Sequence, residues 1–434
     1  MKVTLVSTLE HGGAANACIR LHLGLRKIGV ESNLLVFTEN NTTPHSASFM
    51  DFYQESYLDK IANRSLIKKI GDKLKNTFGK TEYQRIRKQL EIRDSIEKTK
   101  AEGIEVFTFP HTPYYLHEHP LIKEADIINL HWVNNFLDYE TFFTNIQQPI
   151  VWTLHEMNPF TGGCSYSDDC MQYETSCKIC PQLEGSSHPA YAQTIFEIKQ
   201  TALAPVDNLQ VVAPSKWLRD LSKSSTLLKR FSHHHIPYSL DETTFKLQDK
   251  AEAKKALGFT PDQQLILFVS ASVNNIRKGL HYLIESIEEL GNHTSNVVFC
   301  AVGTKQKDPQ STHILELGPI YDPQKLAAVY AAADVFVIPS VADNLPNTVL
   351  ESLMCGTPVI GFPAGGVPEM IDHNENGLVC DEVSSSALTR ALQKVIAKEI
   401  SFDYEKIAAK ARDRYAYTIQ AKQYQKLYQE MLES

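Results

Sequence analysis

Two carboxylates eight positions apart, Asp343 and Glu351, bracket the segment Asp343-Asn344-Leu345-Pro346-Asn347-Thr348-Val349-Leu350-Glu351. Pro346 suits the first turn of a helix, and Asn344 or Asn347 is placed to cap it. An apolar run, Asp334–Pro339, precedes the segment, so Asp343 falls in a strand-to-helix loop and Glu351 within the helix. Loops of that kind, at the C-terminal edge of a parallel sheet, turn backbone N–H groups toward anionic ligands. An acid there must stay solvated or meet sugar hydroxyls, because it would repel phosphate. The plain alternative is a capped surface helix. Arg277-Lys278-Gly279 opens another helix after the run Leu265–Ser270. Two cations at a helix N-terminus oppose the macrodipole, which makes bound phosphate the natural reason for them. Gly365-Gly366-Val367-Pro368-Glu369 gives a third glycine-rich turn into a helix.

Four of the eight cysteines form the pattern Cys164-x5-Cys170-x6-Cys177-x2-Cys180 in a stretch rich in Gly, Ser, Asp and Tyr. Four thiols ending in C-x2-C are what a closed tetrahedral zinc site needs, so a structural zinc is expected here. Free thiols and two disulfides are the alternatives. The stretch begins nine residues after His155 and is expected to be structural, doing no chemistry itself. His233-His234-His235 does not read as a metal site, since alternate side chains of an extended segment face opposite ways.

The elements that must position these residues follow a βα rhythm. Strand-like runs at Val3–Ser7, Asn33–Phe37, Ile104–Phe109, Asp126–Leu130, Ile150–Leu154 and Gln210–Ala213 are mostly unbroken apolar stretches, as expected of strands buried on both faces. A second series, Leu265–Ser270, Val297–Val302, Asp334–Pro339 and Pro358–Gly361, alternates with helices near Gly279–Leu290, Pro323–Ala333 and Pro346–Cys355. The polar stretch 241–262 reads as the linker, and a single helix is expected from Tyr404 to Leu432. The predicted domains are 1–240, with a basic helical insertion at 51–100 and the Cys-rich loop at 160–185, then 241–415, then the helix 416–434.

Length and charge bound the function. At 434 residues the chain exceeds one ordinary domain, and its 43% apolar content excludes disorder and coiled coil. A net charge of −8 removes the general case for nucleic-acid binding. Ten basic and two acidic residues fall between Lys60 and Lys88, where Leu58, Ile61, Ile67, Ile70, Leu74 and Phe78 make an apolar stripe. That helix either packs on its own domain or lies on an anionic membrane. No apolar run approaches 18 residues and the N-terminus reads as a strand and turn, so the expected location is cytoplasmic, peripheral on the inner face of the membrane if the basic helix binds lipid.

Taken in order, the motifs resemble the family 4 retaining glycosyltransferases, whose GT-B fold sets two Rossmann-like domains facing each other across a cleft, with a C-terminal helix crossing back to the first domain. His11-Gly12-Gly13-Ala14-Ala15 is similar to that family's glycine loop, and Thr153-Leu154-His155-Glu156 to its His-Asp pair. Ile236-Pro237-Tyr238-Ser239-Leu240-Asp241 resembles its interdomain turn, and Asp343 to Glu351 its Glu-x7-Glu motif. The chain departs from the pattern in having Asp343 for Glu, and Ser272 and Val273 where an Arg is usual, leaving Arg277 to substitute.

The resemblance implies transfer of a hexose-type sugar, with retention, from a nucleotide-diphosphate sugar to a glycan or lipid-linked glycan in envelope or exopolysaccharide synthesis. His155, Lys278 and Asp343 would be catalytic. Gly12, Gly13, Arg277, Lys278, Asn344, Leu345, Pro346, Asn347, Thr348 and Glu351 would bind the donor. Lys278 and Arg277 supply the positive charge, so no catalytic metal is expected. The rival readings are a non-catalytic sugar-binding scaffold and a dinucleotide-dependent oxidoreductase. The oxidoreductase would want G-x-G-x-x-G, which His11-Gly12-Gly13-Ala14-Ala15-Asn16 does not supply.

Overall fold

A computed structural model describes residues 1–38, 43–54, 88–99, 107–272, 275–291, 296–304 and 313–433. The chain divides into two compact units. The first comprises Met1–Ala213, Arg219–His235 and Gln425–Ser434; the second comprises Pro214–Leu218 and Ile236–Tyr424. Most of the basic insertion, including its apolar stripe, lies outside the described residues. So does the first half of the strand expected at 104–109; its second half, 107–109, is not a strand and makes only a single bridge, from Phe107 to Cys164.

The first unit is built on a seven-stranded sheet: β1 (Lys2–Ser7), β2 (Glu31–Val36), β3 (Ser46–Ser48), β4 (Ile127–Leu130), β5 (Ile150–Thr153), β6 (Leu209–Ala213) and β7 (Ser232–His235). All neighbours pair in parallel, in the order β3-β2-β1-β4-β5-β6-β7. The second unit has β8 (Gln264–Ser272), β9 (Val297–Thr304), β10 (Ile314–Gly318), β11 (Val335–Ile338), β12 (Val359–Gly361) and β13 (Gly377–Val379). They pair in parallel in the order β10-β9-β8-β11-β12-β13. Both orders are doubly wound, each with a switch point where the chain reverses its direction of travel: between β1 and β4, and between β8 and β11. The cores follow from the apolar runs. Leu5, Val6, Ile128, Val151 and Val211 are fully buried in the first, and Ile266, Val337, Ile360 and Leu388 in the second.

Two expectations are corrected here. The stretch 241–262 is no plain linker: it belongs to the second unit and contains the helix Lys250–Ala256, capped by Asp249. Buried Lys254 on that helix bridges Asp334 at 2.7 Å, a fastening its lysine-rich composition disguises. The helix expected from Tyr404 to Leu432 is two helices, Tyr404–Tyr415 and Tyr417–Glu433. Ala416 between them is extended because it bridges Leu240, whose N–H donates to the Tyr415 carbonyl at 2.8 Å.

Candidate active site

In each unit the residues singled out by type gather at the switch point. In the second unit, the turn Ile276–Lys278 follows β8 and the loop 339–346 follows the adjacent β11. Gly279 makes their approach possible. It sits at φ 73°, and a Cβ there would collide with the Pro339 carbonyl oxygen. Around it, the Arg277 guanidinium donates to the Ala342 carbonyl at 2.5 Å, and Val341 N–H donates to the Arg277 carbonyl at 2.9 Å. Lys278 Nζ reaches Asp343 Oδ2 at 2.5 Å and Arg277 Nη1 lies 3.7 Å from the same oxygen. The two cations that seemed to need a phosphate therefore already hold an internal anion. Burial alone would raise the Asp343 pKa, but Lys278, then Arg277, outweigh it and hold the carboxyl below its ordinary value.

The rest of the loop is equally tied. Asn344 is buried and its Oδ1 accepts from Ser215 Oγ at 2.6 Å. Gly366 N–H donates to the Asp343 carbonyl at 2.8 Å, and a Cβ at Gly365, φ 59°, would strike that carbonyl. Glu369 then accepts from Lys216 N–H and Trp217 N–H at 2.8 and 2.7 Å, capping the helix Lys216–Ser224. Leu345 and Pro346 are buried, while Asn347 and Thr348 are half-buried. Neither Asn344 nor Asn347 caps the helix Asn347–Met354, whose N-cap is Pro346 with no side-chain bond. Backbone donors for a ligand are fewer than the motif implied, since Asn344 N–H turns to the Asp343 carboxylate and Pro346 has none. Glu351 is 6% exposed and accepts from the Tyr330 hydroxyl at 3.3 Å.

In the first unit, Gly12 follows β1 with φ 91° and precedes the helix Gly13–Lys27, which has no side-chain cap. His155 follows β5, and its Nε2 lies 3.0 Å from Nδ1 of His131, which follows β4. Both rings are buried. Desolvation lowers His155 to about 3, and desolvation with His155 alongside holds His131 well below the ordinary histidine value. The pair is neutral at pH 7. Glu156 accepts from Trp132 Nε1 at 3.0 Å and from the Asn134 amide at 2.5 Å.

The four clustered cysteines are unbonded to one another and together line one small cavity. Among the described residues no group of His, Cys, Asp or Glu stands ready-made as a metal centre, so the expected zinc site is not preformed. His233 and His234 take separate partners, the Phe231 carbonyl and Gln210.

His131, Tyr330 and Ser340 were not singled out from the sequence. His131 is a lone polar residue beside an apolar run that the β4–β5 pairing brings to His155, Ser340 begins the loop that carries Asp343, and Tyr330 sits among alanines on the helix Pro323–Ala332. His131 Nε2 and Ser340 Oγ, the latter after β11, are buried with no hydrogen-bond partner among the described residues.

Residues 249–414 match the model of the family described as glycosyl transferases group 1. The likeness to that family falls within the second unit. An uncharacterized glycosyltransferase of Methanocaldococcus jannaschii is 24% identical over 274 residues, 59% of this chain and 62% of its own length. A Bacillus subtilis glycosyltransferase named for teichuronic acid biosynthesis is 29% identical over 216 residues, 49% of this chain and 53% of its own. The chain thus spans between half and two thirds of these curated relatives. Among solved structures, sucrose-phosphate synthase of Thermosynechococcus elongatus superposes with a TM-score of 0.65 at 16% identity, covering 100% of this chain and 99% of that one. Anabaena HepE in complex with UDP-glucose superposes at 0.58 and 16%, covering 100% and 99%. These likenesses show the fold: two parallel-sheet α/β domains of the GT-B kind.

Proposed function

We propose that the protein is a retaining glycosyltransferase that moves a hexose from a nucleotide-diphosphate sugar to a glycan or lipid-linked glycan of envelope or exopolysaccharide synthesis. One observation carries the reading: Arg277, Lys278 and Asp343 converge at the switch point of the unit that resembles the group 1 glycosyl transferases. UDP-glucose, the ligand of HepE, is the kind of donor whose diphosphate suits two cations. As the donor enters, Lys278 exchanges the Asp343 carboxylate for phosphate oxygens, and Asp343 is released toward the sugar hydroxyls. When the bond to the anomeric carbon lengthens, charge collects on the diphosphate, where Lys278 and Arg277 stabilise it. The leaving phosphate takes the acceptor's proton on the face from which it departs, which retains configuration. Glu351, steadied by Tyr330, accepts the ribose hydroxyls. His155 is neutral and serves as a hydrogen-bond partner to the sugar rather than as an acid, with His131 fixing its tautomer. Gly12 and Gly13 let backbone approach the donor. Lysine and arginine supply the charge, so the reaction needs no catalytic metal.

The acceptor side invites a second element of the proposal. The basic stripe at 58–88 attaches the enzyme to anionic lipid at the inner face of the membrane, each basic residue adding about 1 kcal/mol near such a surface. Among the described residues no helix is long and apolar enough to cross a membrane. Sedimentation with anionic vesicles should weaken as salt rises, and equal pelleting with neutral vesicles would count against attachment.

Donor hydrolysis across common nucleotide sugars tests the central reading. Slow release of nucleoside diphosphate from at least one donor, with the sugar anomer retained by NMR, is expected. No turnover with any donor, or an inverted product, overturns it.

A further inference from the structure

The loop from Leu154 to Ala190 crosses 37 residues with only three short 3-10 turns, Asn158–Phe160, Gln172–Glu174 and Pro181–Leu183. A stretch that long needs something besides secondary structure to hold it. Its four cysteines all face one cavity of about 20 Å³, shared with Thr161, Gly162, Gln172 and Tyr173. That is room for one atom-sized guest, near the size of a single water, and too little for a polynuclear cluster.

Two of the sulfurs already accept backbone N–H groups. Gly162 N–H donates to Cys177 Sγ at 3.2 Å, and the N–H groups of Gln182 and Leu183 turn to Cys180. Cys177 sits at φ 49°, a left-handed conformation that a glycine or asparagine would adopt at less strain. Beside Cys164 and Cys177 lies Lys199, 1% exposed, its ammonium donating to the carbonyls of Asn158 and Thr161 at 2.5 and 3.1 Å. Besides those two carbonyl dipoles, Cys164, Cys177 and Glu156 are the groups whose negative charge favours its ammonium.

We propose that Cys164, Cys170, Cys177 and Cys180 bind one Zn²⁺ as a closed structural tetrathiolate, with Lys199 offsetting part of its charge. The reaction balances as Zn²⁺ plus four thiols giving a dianionic tetrathiolate and four protons. Without the ion the side chains do not converge in ligand geometry, and rotation about each Cα–Cβ bond is the movement that brings the sulfurs inward. The site closes the loop that begins with His155 and Glu156, and so sets where those two side chains stand.

The test uses the full-length chain purified without chelator. Elemental analysis should give about one zinc per chain, and X-ray absorption should show four sulfurs at about 2.3 Å. Cys177→Ser with Cys180→Ser should lower the zinc content at least tenfold, while Cys300→Ser on β9 leaves it unchanged. Absorption on the unaltered protein keeps the test valid if the double variant does not fold. Metal-free protein, zinc that persists in the double variant, a nitrogen- or oxygen-dominated shell, or a mass four units low from two disulfides would each overturn the proposal.

Discussion

Replacing Asp343 by Asn keeps the shape of the side chain and removes only the charge that faces Lys278 and Arg277. At 2.5 and 3.7 Å the gross attraction is large, but the lysine and arginine side chains remain 27% and 17% exposed and can recover water. Cutting one partner from a buried pair costs about 3–5 kcal/mol, and a hydrogen bond to a charged group is worth about 1.5–3. With solvent recovery the lower range applies, so Asp343→Asn should destabilise the second unit by about 2–3 kcal/mol at pH 7. At roughly 2–4 °C per kcal/mol the melting transition falls by about 5–10 °C.

The pH dependence gives the sharper check. The folded carboxyl titrates below its unfolded value of 3.8, so its contribution is complete above pH 3.8 and is lost as pH falls through the folded pKa. Urea unfolding of both proteins between pH 7 and pH 2.5 should show the gap closing only at the acid end. A gap under about 0.5 kcal/mol at pH 7, or one that persists undiminished after acidification, would refute the reasoning.

Lys278→Ala should lower turnover about a hundred- to thousand-fold with a much smaller change in UDP affinity, and EDTA should leave initial rates intact; unchanged turnover would remove the role given to that lysine. Gly279→Ala should destabilise by about 3 kcal/mol, since the left-handed φ and the Pro339 carbonyl act against it together; a urea midpoint within error of the parent would show that the turn can relax. Burial lowers His155 to about 3 in the folded protein, so the unfolded chain takes up more protons below pH 6.5, and stability present above 6.5 is lost as pH falls toward 3. His155→Gln should flatten that decline in urea midpoint, and an unaltered slope would mean the ring is not held neutral.

The interior strands were legible because burial on both faces writes an unbroken apolar run. The four that escaped, Ser46–Ser48, Ser232–His235, Ile314–Gly318 and Gly377–Val379, are the edges of the two sheets. An edge strand has one neighbour and tolerates serine, histidine and glycine, so it leaves no such run. At the site, spacing revealed the acids and the cations separately, yet their pairing spans 65 positions and depends on β8 and β11 being neighbours. His131 escaped for the same reason: nothing local distinguishes it from a core histidine until β4 and β5 bring it to His155. The capping expected of Asn344 failed because its side chain was claimed by Ser215, far away in sequence.

The buried bond between Asn129 and Tyr428, 2.7 Å long across 299 positions, carries a consequence for how the protein is made. Every strand of the first sheet has been synthesised once His235 emerges, yet residues 425–434 belong to the same unit. At about 5–20 residues per second, the sheet spends roughly ten seconds or more on the ribosome with the buried place of Tyr428 still unfilled. The second unit can collapse meanwhile, so the part begun first is completed last. A nascent chain halted before position 425 should therefore stay sensitive to protease around Asn129.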